Sequence, residues 1–309
     1  MADYSSWLQP PPLAFRLALW WAKHGYRGKS AIPRRIGRLF CRGMTAVIHT
    51  RSGATLAVDP LNLEAFCTIV RHGGTWEEHV LDRCLESLRC GGVFYDIGAN
   101  AGFFSIETAV ALGDAVAVHA FEPLSSLARA IRASAALNAQ HHIHVHEIAL
   151  SDRAGDATIY VPSHAIHASL MAREKRATPV RCRTDTVDNL VSTVRLPPPT
   201  VIKIDVEGAE LRVFQGARET IRRNVPVIIF ECDENAVRFG NSPRKLCSFL
   251  SELGGYEFCF LADYDDYENV PQPPRPVALS NEMPFGDYIA LPPGRATAPV
   301  SPEPRLFAG

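Results

Sequence analysis

The sequence predicts an α/β protein built on a doubly wound, mostly parallel sheet of seven strands with helices on both faces. An N-terminal helical and hairpin extension precedes it. Two observations lead to this. From about residue 93 onward, short apolar runs alternate with longer runs of helical periodicity. Such alternation builds a largely parallel sheet covered on both faces. At residues 96–102 the turn DIGANAG joins the first of these strands to its helix, and open α/β sheets bind ligands at such turns. The expected organisation is an extension over 1–74, the α/β domain over 75–291, and a disordered Pro-rich tail over 292–309.

Residues 13–23 read as a short helix carrying Phe15, Leu17, Leu19, Trp20 and Trp21. A basic stretch with Arg27, Lys29, Arg34, Arg35, Arg38 and Arg42 follows. Two readings stand: a helix packed on the main domain, or a surface that touches a membrane or an anionic substrate. The apolar stretch 13–22 is too short to span a bilayer, and Arg16 interrupts it. No signal peptide is evident, so a cytoplasmic protein is expected. Alternation over residues 45–58, broken at Ser52-Gly53, predicts a β-hairpin. Thr75-Trp76-Glu77-Glu78 reads as a capping box. It opens a helix with Val80, Leu81, Cys84, Leu85 and Leu88 at helical spacing, stopped by Gly91-Gly92.

Strands are then expected at residues 93–95, 115–121, 143–148, 201–204, 225–230, 256–261 and 288–291. Helices are expected at 103–112, 125–138, 209–222 and 243–253, and residues 158–161 and 180–183 read as an added β excursion.

Composition narrows the function. A formal net charge of -1 over 309 residues argues against a protein whose whole surface targets nucleic acid. The eight cysteines form no C-x-x-C pair and have no zinc-site spacing, so they read as small buried hydrophobes in a reducing compartment, and no metal site is expected. His141, His142, His144 and His146 cluster, and read as polar positions at a strand start or edge.

The chemistry centres on VFYDIGANAGFFS at residues 93–105. Gly98 and Gly102 permit backbone torsions and close approaches that a side chain would block. A dinucleotide site needs G-x-G-x-x-G, with a pyrophosphate on the helix N-terminus. This turn is D-x-G-x-N-x-G, the wrong glycine spacing for a dehydrogenase, and Asp96 would repel a pyrophosphate. S-adenosylmethionine has no phosphate and carries an ammonium and a sulfonium, which an acidic strand end attracts. Glu122, in Phe121-Glu122-Pro123, follows Asp96 by 26 residues at the end of the next strand. Its carboxylate is placed to accept both ribose hydroxyls. The third piece is IKIDVEGAE, residues 202–210. Asp205 and Glu207 are candidates to orient or deprotonate a methyl acceptor; helix capping and dipole complementation are the alternative there, and the favoured reading for Glu210. Glu231 is a weaker acceptor-side candidate.

The stretches at 93–105, AFEP at 120–123, IALSDRAGDATIYV at 148–161 and IKIDVEGAELRVFQGA at 202–217 resemble the FkbM family of methyltransferases in order and spacing. The resemblance runs from about Gly92 to Glu231. It implies a Rossmann-like class I methyltransferase fold, S-adenosylmethionine as donor, and O-methylation of a hydroxyl on a sugar, glycan or secondary metabolite. Carried over by position, it puts Asp96, Gly98, Ala99, Asn100 and Gly102 at the methionine end. Glu122 and Pro123 fall at the ribose, and Ala149, Ser151 and Asp152 near the adenine. Ile148 and Ala149 are apolar where many methyltransferases place an acidic residue. The expected partner is a small-molecule or glycan acceptor rather than nucleic acid. An RNA or protein methyltransferase, and a non-catalytic S-adenosylmethionine-binding module, are the alternatives.

Overall fold

The computed structural model describes residues 45–59, 73–161, 177–263 and 273–295, with Leu13, Leu17, Trp20, Ile36, Leu39 and Ile69 besides. Most of the expected N-terminal helix, its basic residues and the tail past residue 295 lie outside the described residues. Leu13, Leu17 and Trp20 are helical and exposed. Among the described residues, no helix is long and apolar enough to cross a membrane.

The expected hairpin is present as β1 (Ala46–His49) antiparallel to β2 (Thr55–Val58). Next come α1 (Glu78–Ser87), β3 (Gly92–Ile97), α2 (Phe103–Leu112), β4 (Val116–Phe121), α3 (Ser125–Leu137) and β5 (Ile143–His146). The β excursion follows as β6 (Ala149–Leu150), β7 (Gly155–Val161) and β8 (Thr178–Asp185). The second half runs α4 (Val187–Ser192), β9 (Val201–Ile204), α5 (Glu210–Gly216), α6 (Arg218–Asn224), β10 (Val227–Cys232), α7 (Asn235–Arg238) and α8 (Pro243–Gly254). It closes with β11 (Glu257–Ala262), β12 (Arg275–Val277) and β13 (Gly286–Leu291).

The main sheet has the order β12-β11-β13-β10-β9-β3-β4-β5, and β6-β8-β7 form a separate three-stranded sheet. From β10 to β5 every neighbouring pair is parallel. β13 inserts antiparallel between β10 and β11. These seven are the strands expected from the sequence. The eighth, β12, pairs antiparallel with β11 at the edge, and Arg275 there lies over the Phe260 ring at 5.2 Å. Strand order reverses beside β3, which opens a crevice at the carboxyl ends of β3 and β9.

Alternating side chains feed two cores. Phe94 and Val118 pack with Leu88, Phe104, Ile106 and the hairpin's Leu56 and Val58. Tyr95, Phe121, Ile202 and Ile204 pack with Phe214 and Phe230 on the opposite face. Each such buried side chain contributes roughly 1.5–3 kcal/mol. The hairpin is bound into the first core by α3: Thr55 N donates to Asn138 Oδ1 at 2.8 Å, and Ala57 N donates to Ser134 Oγ at 2.9 Å.

Two local expectations are corrected. The capping box does not form. The α1 N-cap is Glu77, at φ 44 and ψ 56, with no side-chain cap, and Glu78 instead meets Arg51 at 2.8 Å. The single helix expected over 209–222 is two, α5 and α6, hinged at Ala217. The Asp188 carboxylate accepts from Glu219 N at 3.0 Å and Thr220 N at 2.7 Å, so it fixes a second helix start there.

Candidate functional site

The glycine turn folds as its sequence requires. Gly98 has φ +80, and a Cβ on it would stand 1.9 Å from the Asp205 carbonyl oxygen, so β3 and β9 can close only on glycine. Asn100 is also left-handed, at φ 51. Gly98 N and Ala99 N both donate to the Phe121 carbonyl, at 3.0 and 3.1 Å, which locks the turn to the end of β4. Gly102, at φ +81, packs against Ile131 of α3.

Asp96 is fully buried at the end of β3. Its Oδ2 accepts from Ser105 Oγ at 2.6 Å. Burial pushes its carboxyl above the usual range, against the pull of the Lys203 ammonium. Among the described residues, Asp96 Oδ1 and Asn100 Oδ1 are buried with no hydrogen-bond partner. Two such oxygens in one turn carry a desolvation cost of about 1–3 kcal/mol each that a donor-rich ligand would relieve.

Glu122, buried at the end of β4, accepts from Asn100 N through Oε2 at 3.0 Å and from Leu124 N through Oε1 at 2.9 Å. Each oxygen keeps a second lone pair. Burial raises its pKa to about 8 despite those two donors. Pro123, half-buried, carries the chain from it into α3. Ala149 lies on β6, in the small sheet. Ser151 N donates to the Asp185 carbonyl at 2.9 Å, and its hydroxyl donates to Asp152 Oδ1 at 2.9 Å. The Ser151 carbonyl sits so close to Gly216 that a Cβ there would be 2.0 Å away.

The end of β9 opens on a small cleft lined by Glu77, Val80, Lys203, Ile204, Asp205, Ile229, Phe230, Glu231 and Asp287. Four carboxyl groups thus surround one ammonium. Lys203 Nζ lies 3.2 Å from Asp205 Oδ2 and 4.4 Å from the Phe104 ring centroid. Burial lowers its pKa, but Asp205, Asp96 and Glu77 outweigh that and hold it above the ordinary value. Burial raises Glu231 well above the usual range, with Asp205, Asp287 and Glu77 adding to it. Glu77 is raised to about 7 by burial and by Asp287, against Lys203. His79 Nε2 meets Asp287 Oδ2 at 2.8 Å, and that bond and charge, with Glu77, raise the imidazole pKa over the opposing effect of burial.

Asp205 and Glu231, expected on the acceptor side, therefore meet in one cleft. Glu207, buried at φ 61, is not among the residues lining it. Glu210 braces the loop: its Oε1 accepts from Val206 N and Gly208 N at 3.2 and 3.0 Å. Sequence reasoning missed Glu77, His79, Lys203 and Asp287. Lys203 had a signal, a lone lysine inside the buried run VIKI. Glu77 was masked by the capping pattern, and His79 and Asp287, 208 residues apart, had none. Of the clustered histidines, His144 and His146 sit on β5, the edge strand, and His141 and His142 precede it. His146 Nε2 lies 2.9 Å from His119 Nδ1 of β4, and burial lowers both pKa values to about 4. Among the described residues, no group of three or more His, Cys, Asp or Glu is placed to hold a metal ion.

With this geometry in place, comparison with known proteins is informative. A family profile described as "Methyltransferase FkbM domain" matches residues 96–258. The chain is similar to the hexuronic acid methyltransferase AglP of Haloferax volcanii, at 27% identity over 176 residues, covering 57% of this chain and 68% of that protein. Among solved structures, it resembles the methyltransferase FkbM from Methylobacillus flagellatus KT at 15% identity with a TM-score of 0.44. That match covers 89% of this chain but spans only 58% of the other. It also resembles the O-methyltransferase TomG from Streptomyces achromogenes, at 13% identity and TM-score 0.39, covering 71% and 80% of the two chains.

Proposed function

Because the chain belongs to the FkbM family of methyltransferases, we propose that it transfers the methyl group of S-adenosylmethionine to a hydroxyl of a sugar, glycan or secondary metabolite. The observation that carries this reading is the pair of buried, partnerless oxygens, Asp96 Oδ1 and Asn100 Oδ1, in a turn that only glycine can close. They fit a cationic donor such as the cofactor's ammonium, and a phosphate would be repelled there.

In this reading Asp96, Gly98, Ala99, Asn100 and Gly102 hold the methionine end. Glu122 takes the ribose hydroxyls on its remaining lone pairs, with Pro123 setting the chain direction behind it. Ala149, Ser151 and Asp152 lie towards the adenine, which backbone groups or the Ser151–Asp152 pair recognise in place of an acidic strand end. When bound, the cofactor supplies a methyl group already activated by the sulfonium charge. The protein's task is then mainly to bring an acceptor oxygen into line. Asp205 fixes the Lys203 ammonium and orients the acceptor. Glu210 holds the loop that carries Asp205, while Glu207, the other catalytic candidate, is buried and is not among the residues lining the cleft.

The test is isothermal titration with S-adenosylhomocysteine of the wild type and of Glu122→Ala. Loss of charged hydrogen bonds to the ribose should weaken binding by about 10- to 100-fold. A folded wild type that binds no S-adenosylhomocysteine, or a variant that binds it equally well, refutes the assignment.

A further inference from the structure

We propose that Glu77, at the head of α1, is the general base that takes the proton of the acceptor hydroxyl, and that Lys203 holds the oxygen as its negative charge develops. This rests on the methyltransferase reading above. It moves the base from β9, where the sequence put it, to the segment before β3.

The argument is by placement and elimination. Among the described residues, five ionisable groups line the cleft at the ends of β9, β10 and β13: Glu77, Lys203, Asp205, Glu231 and Asp287. Asp205 is engaged by Lys203 at 3.2 Å, and a carboxylate in contact with an ammonium is a weak base. Asp287 is held by His79 at 2.8 Å. Burial and its acidic neighbours push the Glu231 carboxyl well above its ordinary range, which disfavours the anionic form a base needs. Glu77 remains. Asp287, Asp205 and Glu231 face it with acidic groups, and Lys203 and His79 with basic ones. Burial, with Asp287 adding to it and Lys203 opposing, raises it to about 7, where a base works best at neutral pH.

The backbone agrees. Glu77 occupies the N-cap position of α1 without capping it, in a left-handed conformation at φ 44, which a glutamate adopts only when its surroundings impose it. That conformation gives up the capping box and leaves the side chain in the cleft. Lys203 has three N–H donors, and one goes to Asp205, which leaves donors for an acceptor oxygen. The step balances. The acceptor O–H bond breaks and its proton passes to a Glu77 oxygen. The freed electron pair forms the new O–C bond while the electrons of the S–C bond stay on sulfur. Glu77 then returns the proton to solvent.

The experiment compares wild type with Glu77→Gln, using radiolabelled S-adenosylmethionine and two kinds of probe acceptor. One is a set of neutral sugars: methyl β-D-glucopyranoside, methyl β-D-galactopyranoside and methyl α-L-rhamnopyranoside. The other is 4-nitrophenolate, already ionised at the assay pH. Transfer to the sugar should fall by about 10²-fold or more in the variant. Transfer to 4-nitrophenolate should stay within about threefold, because it needs no base. The wild-type rate on the sugar should rise with pH through about 7, and that limb should vanish in the variant. Equal loss on both probes would make Glu77 a positioning residue and overturn the proposal. So would a tenfold loss of S-adenosylhomocysteine affinity in the folded variant, which would put Glu77 on the cofactor. If the wild type binds S-adenosylhomocysteine but methylates neither probe, the cleft accepts no hydroxyl and the base assignment falls alone. If it binds no S-adenosylhomocysteine, the cofactor reading itself has failed.

Discussion

Replacing Gly98 with alanine is a direct test of how the turn meets β9. The new Cβ would stand 1.9 Å from the Asp205 carbonyl oxygen and 2.9 Å from its carbon. Real contacts of this kind do not fall below 3.0 Å, so turn and strand must part by about 1 Å. The φ of +80 adds about 1–2 kcal/mol of left-handed strain for any residue with a side chain. Overpacking against backbone that cannot rotate away adds about 1–3 kcal/mol. A total near 3 kcal/mol corresponds to a loss of about 6–10 °C in Tm for a domain of this size. Gly73→Ala is the control, because Gly73 has φ +71 but nothing within 4 Å of its Cβ. It should show only the strain, about 1–2 kcal/mol. The assay is a thermal melt of both variants with and without S-adenosylhomocysteine. The Gly98 variant should melt lower than the control and lose the ligand-induced rise, because moving Asp205 also moves the Lys203 ion pair. Equal melts with equal ligand response would refute the close approach and its link to the site.

Three more outcomes are expected. Lys203→Met removes the only cation among the described cleft-lining residues and strands Asp96, Asp205 and Glu77 together; chemical denaturation should show a loss of about 3–5 kcal/mol, and an unchanged midpoint would mean the carboxyls are solvated. Asp188→Ala frees two backbone donors at the start of α6, so urea unfolding should show a loss of about 1–2 kcal/mol, and a neutral result would leave the α5–α6 break without its cause. Glu122 and Glu210, both raised from 4.5 to about 8, bind more protons folded than unfolded, so the stability they contribute at low pH is lost as pH rises towards 8. His119 and His146, lowered to about 4, oppose this trend below their unfolded value near 6.5 and are silent above it. The urea midpoint should therefore fall between pH 7 and 8.5 and flatten in Glu122→Gln; a midpoint that rises there would contradict the burial of these carboxyls.

Much of this protein is set by local sequence. Apolar runs alternating with amphipathic helices specify a parallel sheet, and all seven expected strands occur in it, because strands covered on both faces must be apolar throughout. The turn at residues 96–102 was legible because close backbone approach leaves glycine as the residue that fits, and the strand ends at Asp96, Glu122 and Asp205 follow from topology alone. The capping box over 75–78 misled: against a local pattern worth about 1 kcal/mol, Glu77 takes the N-cap position in a left-handed conformation and lines the charged cleft. The break at Ala217 was hidden because its cause, Asp188, lies about 30 residues upstream. What tertiary structure alone decided is the charged cleft at the end of β9. β13 inserts between β10 and β11 and carries Asp287 to His79, 208 residues away. Only that long-range pairing surrounds Lys203 with four carboxyl groups. The sequence names the acids, but their pKa values, and so the group free to take a proton, depend on which charges folding places beside them.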